Sequence, residues 1–274
     1  MFTKIFARGK VFAAAASAGA MLLVASSRLR AVTGRVPDGF AEGFAEVNGV
    51  RLRYLIGGEG TAVVLLHGYA ETSHMWHPIM ALLAERHTVI VPDLRGAAGS
   101  AKPQSGYDKK TMAMDIHELT SWLGYDRINI VGHDIGLMVA YAYAAQFPLA
   151  TERVVLMDVF LPGIGNWKYV WLLRDLWHFH FYGDVPLALV KGRERIYFEH
   201  FWNDFAADPK RSVSEADRQI YARAYARPGG MCAGFEILPQ LRARRGGIRQ
   251  YGRNAPFDAV PCAVRGESRR RLPH

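Results

Sequence analysis

The chain has 274 residues, of which 50% are hydrophobic and 12% aromatic, enough for one large domain with a sizeable core and an inserted lid. Its formal charge of +9 comes from the two ends: residues 1–35 carry six basic and no acidic side chains, and residues 237–274 carry nine arginines and two acids. The segment between them, with 19 basic and 23 acidic residues, is mildly acidic. This distribution argues against a nucleic-acid-binding surface.

The first 30 residues have the layout of an export signal. Residues 1–10 are short and basic, and residues 11–27 form an apolar, alanine-rich run, as in a secretory signal peptide. The run is slightly short for a helix that spans a bilayer. We therefore expect an exported protein, periplasmic or secreted. An uncleaved membrane anchor is the alternative, and only in that case would the protein associate with a membrane.

Short apolar runs alternate with helical patterns from residue 40 to residue 159. The dipeptide Asn48-Gly49 between two strand-like runs predicts a hairpin. Buried strands are predicted at residues 62–66, 88–91, 128–131 and 154–157, and helices at residues 74–85, 110–123 and 137–146. This alternation indicates the α/β class, with a mostly parallel, doubly wound sheet.

The character of the sequence changes after residue 159. Residues 160–230 are rich in aromatic side chains and largely helical in pattern, which suits a cap over an apolar pocket, although packing is the ordinary role of such side chains. Residues 231–274 are assigned to a remnant of the core followed by an arginine-rich tail. Residues 237–274 show no convincing helical or strand period, and only residues 260–264 resemble a short strand, so we expect this tail to be disordered or poorly packed.

The strongest chemical signal is the turn Gly132-His133-Asp134-Ile135-Gly136, which follows an apolar run and precedes a helical pattern. Glycines at these positions permit the sharp strand-to-helix bend that exposes a nucleophile above a sheet edge. A carboxylate at this position would attack an electrophilic carbon and form an ester that water later opens. A helix N-cap is the plainer alternative for Asp134. The absence of serine from the turn excludes a serine esterase.

An oxyanion hole is predicted from the end of the strand at residues 62–66, which runs into His67-Gly68-Tyr69. The backbone N–H groups of Tyr69 and Ile135 would then face Asp134 from two sides and hold the oxyanion formed during ester hydrolysis. We place His67 among the residues expected to contact substrate.

Three separated motifs carry a family resemblance: residues 67–76 (HGYAETSHMW), residues 93–100 (DLRGAAGS) and residues 132–136 (GHDIG). Together they resemble α/β-hydrolase-fold enzymes of the epoxide hydrolase and haloacetate dehalogenase group, over about residues 44–236. The resemblance implies a hydrolase with a helical cap and Asp134 as nucleophile. It also implies that Asp158 is the acid that orients a histidine base. A strand-end cap is the alternative for Asp158.

The resemblance also assigns residues of the cap. Trp177 and His178 match the part that contacts the substrate or its leaving group, and Tyr182 and Tyr197 are alternatives for the first of two tyrosines that protonate an opening epoxide. The second tyrosine is missing, because the run Gly-Phe-Glu is followed by isoleucine and leucine. The histidines of the cap lack a third ligand at suitable spacing, so we expect no metal and no cofactor.

Departures from the family pattern reduce the range of expected substrates. Haloacetate dehalogenases hold the substrate carboxylate with arginines at the positions of Ile135 and Met138, so a charged haloacetate is disfavoured. Haloalkane dehalogenases place a tryptophan directly after the nucleophile, where this chain has isoleucine. A small hydrophobic epoxide is therefore the expected substrate. An uncharged halide is the alternative reaction, and a catalytically silent protein that only binds a ligand is the alternative class.

The most serious departure concerns the histidine base, which the family places far downstream. After His200 the chain has only His274, its final residue. Without an imidazole to deprotonate water, an ester on Asp134 would form and persist. Because the resemblance stops at Glu236, we hypothesise that a reading-frame shift near the codon for Ile237 replaced the carboxyl-terminal part. A natural, shortened member of the family is the alternative.

Overall fold

The computed structural model describes residues 34–158 and 160–242, together with the backbone of residues 262–264. The predicted export signal and most of the arginine-rich tail lie outside these residues. Within the described ranges, no helix is both long and apolar enough to cross a membrane.

The centre of the molecule is one sheet with strand order β1-β2-β4-β3-β5-β6-β7 among the described residues. The strands are β1 Phe40–Val47, β2 Val50–Gly57, β3 Thr61–Leu66, β4 His87–Pro92, β5 Ile128–His133, β6 Thr151–Met157 and β7 Cys262–Val264. The β1–β2 hairpin turns at Asn48 and Gly49, both with positive φ, and β2 also pairs antiparallel with β4. All other neighbours are parallel. The predicted α/β class, mostly parallel sheet and hairpin are confirmed.

Three helices connect the strands of the sheet: α1 His77–Ala84, α2 Lys109–Trp122 and α3 Ile135–Gln146. Their bounds agree with the prediction to within a few residues, except that the first begins with a separate 3-10 turn, Ser73–Trp76. The carboxylate of Asp108 caps α2 by accepting the N–H of Thr111 at 3.0 Å. Apolar faces of α2 and α3 pack against the sheet in one continuous core.

A run of short helices forms the cap that follows β6. They are α4 Trp167–Val170, a 3-10 helix Arg174–His180, α5 Asp184–Val190, α6 Glu194–Glu199, a π turn His200–Asp204, α7 Pro209–Ser212 and α8 Glu215–Tyr225. Aromatic rings hold these short elements together around the fully buried Phe198. The predicted ordinary role of the aromatic residues, packing, therefore applies to many of them.

The chain after the cap is more ordered than the sequence pattern indicates. Helix α9 spans Gly230–Ile237 and continues as a 3-10 turn, Leu238–Leu241, so the expectation that residues from 237 onward lack a helix is wrong. The reason is that Ile237, Leu238 and Leu241 are buried against the core. The expected short strand is present as β7, which pairs parallel with β6.

Candidate active site

The turn between β5 and α3 holds Asp134 in a backbone conformation that L-residues rarely adopt, with φ 50° and ψ −118°. Both glycines of the turn are required by close backbone contacts. A Cβ on Gly132 would collide with the carbonyl of Gly136, and a Cβ on Gly136 would collide with the carbonyl of Leu66 in β3. The strained turn therefore fixes the Asp134 side chain above the carboxyl ends of the central strands.

Two backbone N–H groups converge on the carboxylate of Asp134, as predicted. The Tyr69 N–H donates to Asp134 Oδ1 at 2.7 Å, and the Ile135 N–H also bonds this carboxylate. Burial raises the pKa of Asp134 above its ordinary value, although the charge of His133 and these two N–H groups oppose the shift. The geometry is that of an oxyanion hole built around a buried carboxylate.

Sequence reasoning missed Glu71 and His133, which lie beside Asp134. The Glu71 carboxylate accepts the Gly68 N–H at 3.0 Å and contacts His133 Nδ1 at 3.1 Å. Burial opposes a charge on His133, but its bonds to Asp158 and Glu71 outweigh burial and raise its pKa to about 11. His133 is therefore an imidazolium at neutral pH and is unsuited to act as a base.

Asp158 lies at the end of β6 with a positive φ of 48°. Its side chain is 81% exposed, and its Oδ2 atom is 3.7 Å from His133 Nε2. The contact with His133 lowers the pKa of Asp158 below its ordinary value. Among the residues that the structure describes, the histidine that contacts Asp158 is His133, the residue before Asp134. No histidine later in the described chain contacts Asp158.

A cavity of about 440 Å³ opens in front of Asp134, between the sheet and the cap. Most of its wall is apolar, and its charged lining residues among those described are Glu71, His133, Asp134 and Asp158, with no lysine or arginine. The apolar wall consists mainly of Tyr69, Ile135, Met138, Phe160, Leu176, Phe179, Phe201, Trp202, Phe205, Val213, Leu238 and Leu241. Such a chamber suits a small, uncharged, hydrophobic ligand.

Comparison with known proteins gives the family. The model of the alpha/beta hydrolase fold matches residues 61–219, more than half of the chain. The chain belongs to the α/β-hydrolase family. It is 36% identical over 200 residues to the soluble epoxide hydrolase of Corynebacterium sp. (strain C12), a match that covers 70% of this chain and 69% of that enzyme.

A second relative and a solved structure also belong to the group of epoxide hydrolases and dehalogenases. The hydrolase is 34% identical over 151 residues to the fluoroacetate dehalogenase of Burkholderia sp., a match covering 53% of this chain and only 49% of that enzyme. Among solved structures, the epoxide hydrolase CorEH without ligand is 31% identical, with a TM-score of 0.70 and coverage of 82% of this chain and 81% of that one. The motifs quoted above therefore identified the family correctly.

The cap of the hydrolase brings only some of the predicted residues to the cavity. His178 is buried and lines it, whereas Trp177 and Tyr182 pack elsewhere in the cap. The hydroxyl of Tyr197 is 3.2 Å from that of Tyr69, whose side chain lines the cavity. Tyr197 thus reaches the cavity wall through Tyr69.

The expectation that His67 contacts substrate is not supported by its position. Its ring is buried, with Nδ1 2.9 Å from the Gly68 carbonyl, and its Nε2 accepts the Leu94 N–H at 3.0 Å. Because the backbone uses both nitrogens, His67 instead fixes the loop that carries the Tyr69 N–H.

Proposed function

We propose that the hydrolase opens small, neutral, hydrophobic epoxides by nucleophilic attack of Asp134, forming an ester between the enzyme and the substrate. The observation that carries this proposal is the position of the Asp134 carboxylate, which is held on a strained turn, bonded by two backbone N–H groups and faces an apolar cavity. Burial strips water from this carboxylate, which makes it a better nucleophile than one in solvent.

The proposed course begins with the substrate in the cavity and one of its epoxide carbons facing Asp134. A carboxylate oxygen attacks that carbon and the ring opens. The ester carbonyl stays in the hole formed by the Tyr69 and Ile135 N–H groups, where an oxyanion would be stabilised when water attacks.

The charges around the cavity favour a neutral substrate. Glu71, Asp134 and Asp158 place three carboxyl groups at the reacting end, against the single positive charge of His133. An anionic haloacetate would meet net repulsion there and no arginine among the lining residues described, so it is disfavoured. An uncharged alkyl halide remains the second candidate, because it fits the same cavity and needs only the nucleophile.

We expect the second half of the reaction, ester hydrolysis, to be slow. Ester opening needs a base beside Asp134, and the neighbouring imidazole, His133, is protonated at neutral pH because of its raised pKa. The described residues supply no further histidine at this end of the cavity.

Intact-mass spectrometry during incubation with 1,2-epoxyhexane tests the proposal. We expect the mass of the protein to rise by one epoxide molecule faster than diol is released, so that the adduct accumulates. The variant Asp134→Asn is the control and should remain unmodified. A protein that only binds ligand would show a reversible thermal shift with 1,2-epoxyhexane and no adduct, and this result would refute the proposal.

A further inference from the structure

The exposed apolar side chains of the molecule are concentrated on the cap. Among the described residues, every large hydrophobic side chain that is exposed lies in residues 160–205, apart from Ile79, Leu82, Trp122 and Leu149. Single apolar side chains at a surface are ordinary, whereas a concentration of them marks a surface that binds a partner or a membrane. The outer surface of the cap is therefore a candidate interaction surface.

A compact part of this surface is the outer face of helix α4 and the turn that follows it. Tyr169 and Leu172 are each 70% exposed, and Leu173 is 49% exposed. Residues three and four positions apart share one face of a helical turn. On the opposite face, Trp167 is buried and packs against Phe179, with the ring centroids 5.7 Å apart. The three exposed side chains thus form one apolar ridge on a fixed support, called the α4 ridge below.

Basic side chains border the α4 ridge at both ends. Lys168 and Arg174 are exposed, and Asp175 is the one acid in residues 160–177. Apolar and aromatic side chains flanked by lysine and arginine suit the surface of a bilayer that contains anionic lipid, because the apolar groups enter the acyl region and the bases meet phosphates. A second copy of this chain suits the ridge less well, because a twofold contact would bring the bases of both copies together.

The α4 ridge lies one turn from the open edge of the cavity. The Leu176 N–H donates to the Leu173 carbonyl at 3.1 Å, and Leu176 lines the cavity. Phe160, a second lining residue, is 49% exposed. A bilayer that meets the ridge therefore lies beside the cavity, and a hydrophobic ligand dissolved in that bilayer has a short path into it.

The N-terminal sequence favours the same occupant. The described chain begins at Gly34, against the ring of His74, and His74 Nε2 is 2.7 Å from Asp217 Oδ1 in cap helix α8. Residues 28–33 separate Gly34 from the apolar run at residues 11–27, and this stretch spans at most about 25 Å when it is extended. A bilayer that takes up the apolar run is therefore close to the boundary between core and cap.

We propose that the α4 ridge binds the surface of a phospholipid bilayer, with its three apolar side chains among the acyl chains and Lys168 and Arg174 at the phosphates of anionic lipids. The apolar run by itself predicts membrane association only through an uncleaved anchor, whereas the α4 ridge is a separate, peripheral contact. This binding does not require a reaction at Asp134, so its failure would leave the proposed function standing.

Photocrosslinking in the full chain tests the contact directly. The photoreactive residue p-benzoylphenylalanine takes the place of Leu172 in one protein and of Leu149 in the matched control. Leu149 is 90% exposed but precedes β6, at the end of the sheet away from the cap. Each protein is irradiated with mixed vesicles of phosphatidylcholine and phosphatidylglycerol, and mass spectrometry of the peptides identifies the adducts.

We expect a lipid adduct at position 172 and none at position 149. Equal lipid labelling at the two positions would show that the contact is not specific to the cap, and this result overturns the proposal. A crosslink from position 172 to a second protein chain in place of lipid, or no lipid adduct there, also overturns it.

Vesicle sedimentation measures how much the α4 ridge contributes to binding. Because Leu172 is exposed in the fold, Leu172→Glu leaves the core packing intact. We expect this change to weaken partition into the mixed vesicles by about tenfold or more, the effect of losing one buried leucine, and Leu149→Glu to change it by less than about twofold. Unchanged partition of Leu172→Glu would show that the N-terminal run alone holds the protein on the vesicles, and it would overturn the proposal.

Discussion

The hydroxyl pair formed by Tyr69 and Tyr197 gives a prediction about the stability of the fold. Both side chains are buried, and their hydroxyl oxygens are 3.2 Å apart, so each satisfies the other. Replacing either tyrosine by phenylalanine leaves the other hydroxyl buried and unpaired, which costs about 1–3 kcal/mol of unfolding free energy. Replacing both removes the two polar atoms together and is expected to cost less than either single change.

Urea unfolding of Tyr69→Phe, Tyr197→Phe and the double variant measures these costs. Tyr169→Phe is the control, because its side chain is 70% exposed and no comparable loss is expected. Because the double change is expected to cost less than either single change, the coupling energy between the two positions exceeds the larger single cost and is at least about 1–3 kcal/mol in magnitude. If the double variant loses as much stability as the two single variants combined, the hydroxyls do not satisfy each other and the geometry described here is wrong.

Three further predictions concern packing, the strained turn and the charge cluster. Phe198→Ala should cost about 3–5 kcal/mol of unfolding free energy because the ring is fully buried, whereas Ile196→Ala, at an exposed neighbouring position, should cost well under that; urea unfolding compares the two. Gly136→Ala should abolish soluble expression, because the new Cβ would meet backbone carbonyls at the end of β3 that cannot move away; a soluble, folded variant would contradict this. His133 has a pKa raised to about 11 in the fold, against about 6.5 in the unfolded chain. Its protonated form therefore contributes its full stabilisation below about pH 6.5, and this stabilisation is lost as the pH rises towards 11. Glu71→Gln should therefore bring the fall in melting temperature to lower pH, and an unchanged pH profile would show that Glu71 does not hold this proton.

Much of the site was predictable because the signals are local. The turn at Asp134 needs glycines two residues before and after it, and the sequence shows both. The Tyr69 N–H was placed correctly because β3 and β5 are neighbours in a parallel sheet, so their carboxyl ends meet at one edge. In both cases a spacing along the chain translates directly into a position in space.

Glu71 and His133 show where sequence reasoning stopped. The two residues are 62 positions apart, and neither belongs to a pattern that marks a charged pair. Their contact depends on the direction of one side chain at the end of β5 and of another in the loop after β3, which periodicity does not specify. The expectation for His67 was not supported for a related reason, because the sequence does not show whether a histidine after a strand faces the cavity or bonds backbone atoms, as His67 does.

The residues after the cap were misjudged because their composition is misleading. Arginine-rich sequence begins at Arg242, and its character obscured the apolar positions Leu238 and Leu241, which are buried and line the cavity. Three apolar residues in a five-residue stretch are too few to define a period, so only the tertiary fold reveals this short helical turn.

The most direct test of the account is tandem mass spectrometry that locates the modified residue after reaction with 1,2-epoxyhexane. Asp134, Glu71 and Asp158 all face the cavity, so the peptide map chooses among three carboxyl groups. We predict an ester on Asp134 and unmodified peptides containing the other two. An ester on Glu71 or Asp158, or an adduct that persists in Asp134→Asn, would contradict the central claim that the carboxylate on the strained turn is the nucleophile.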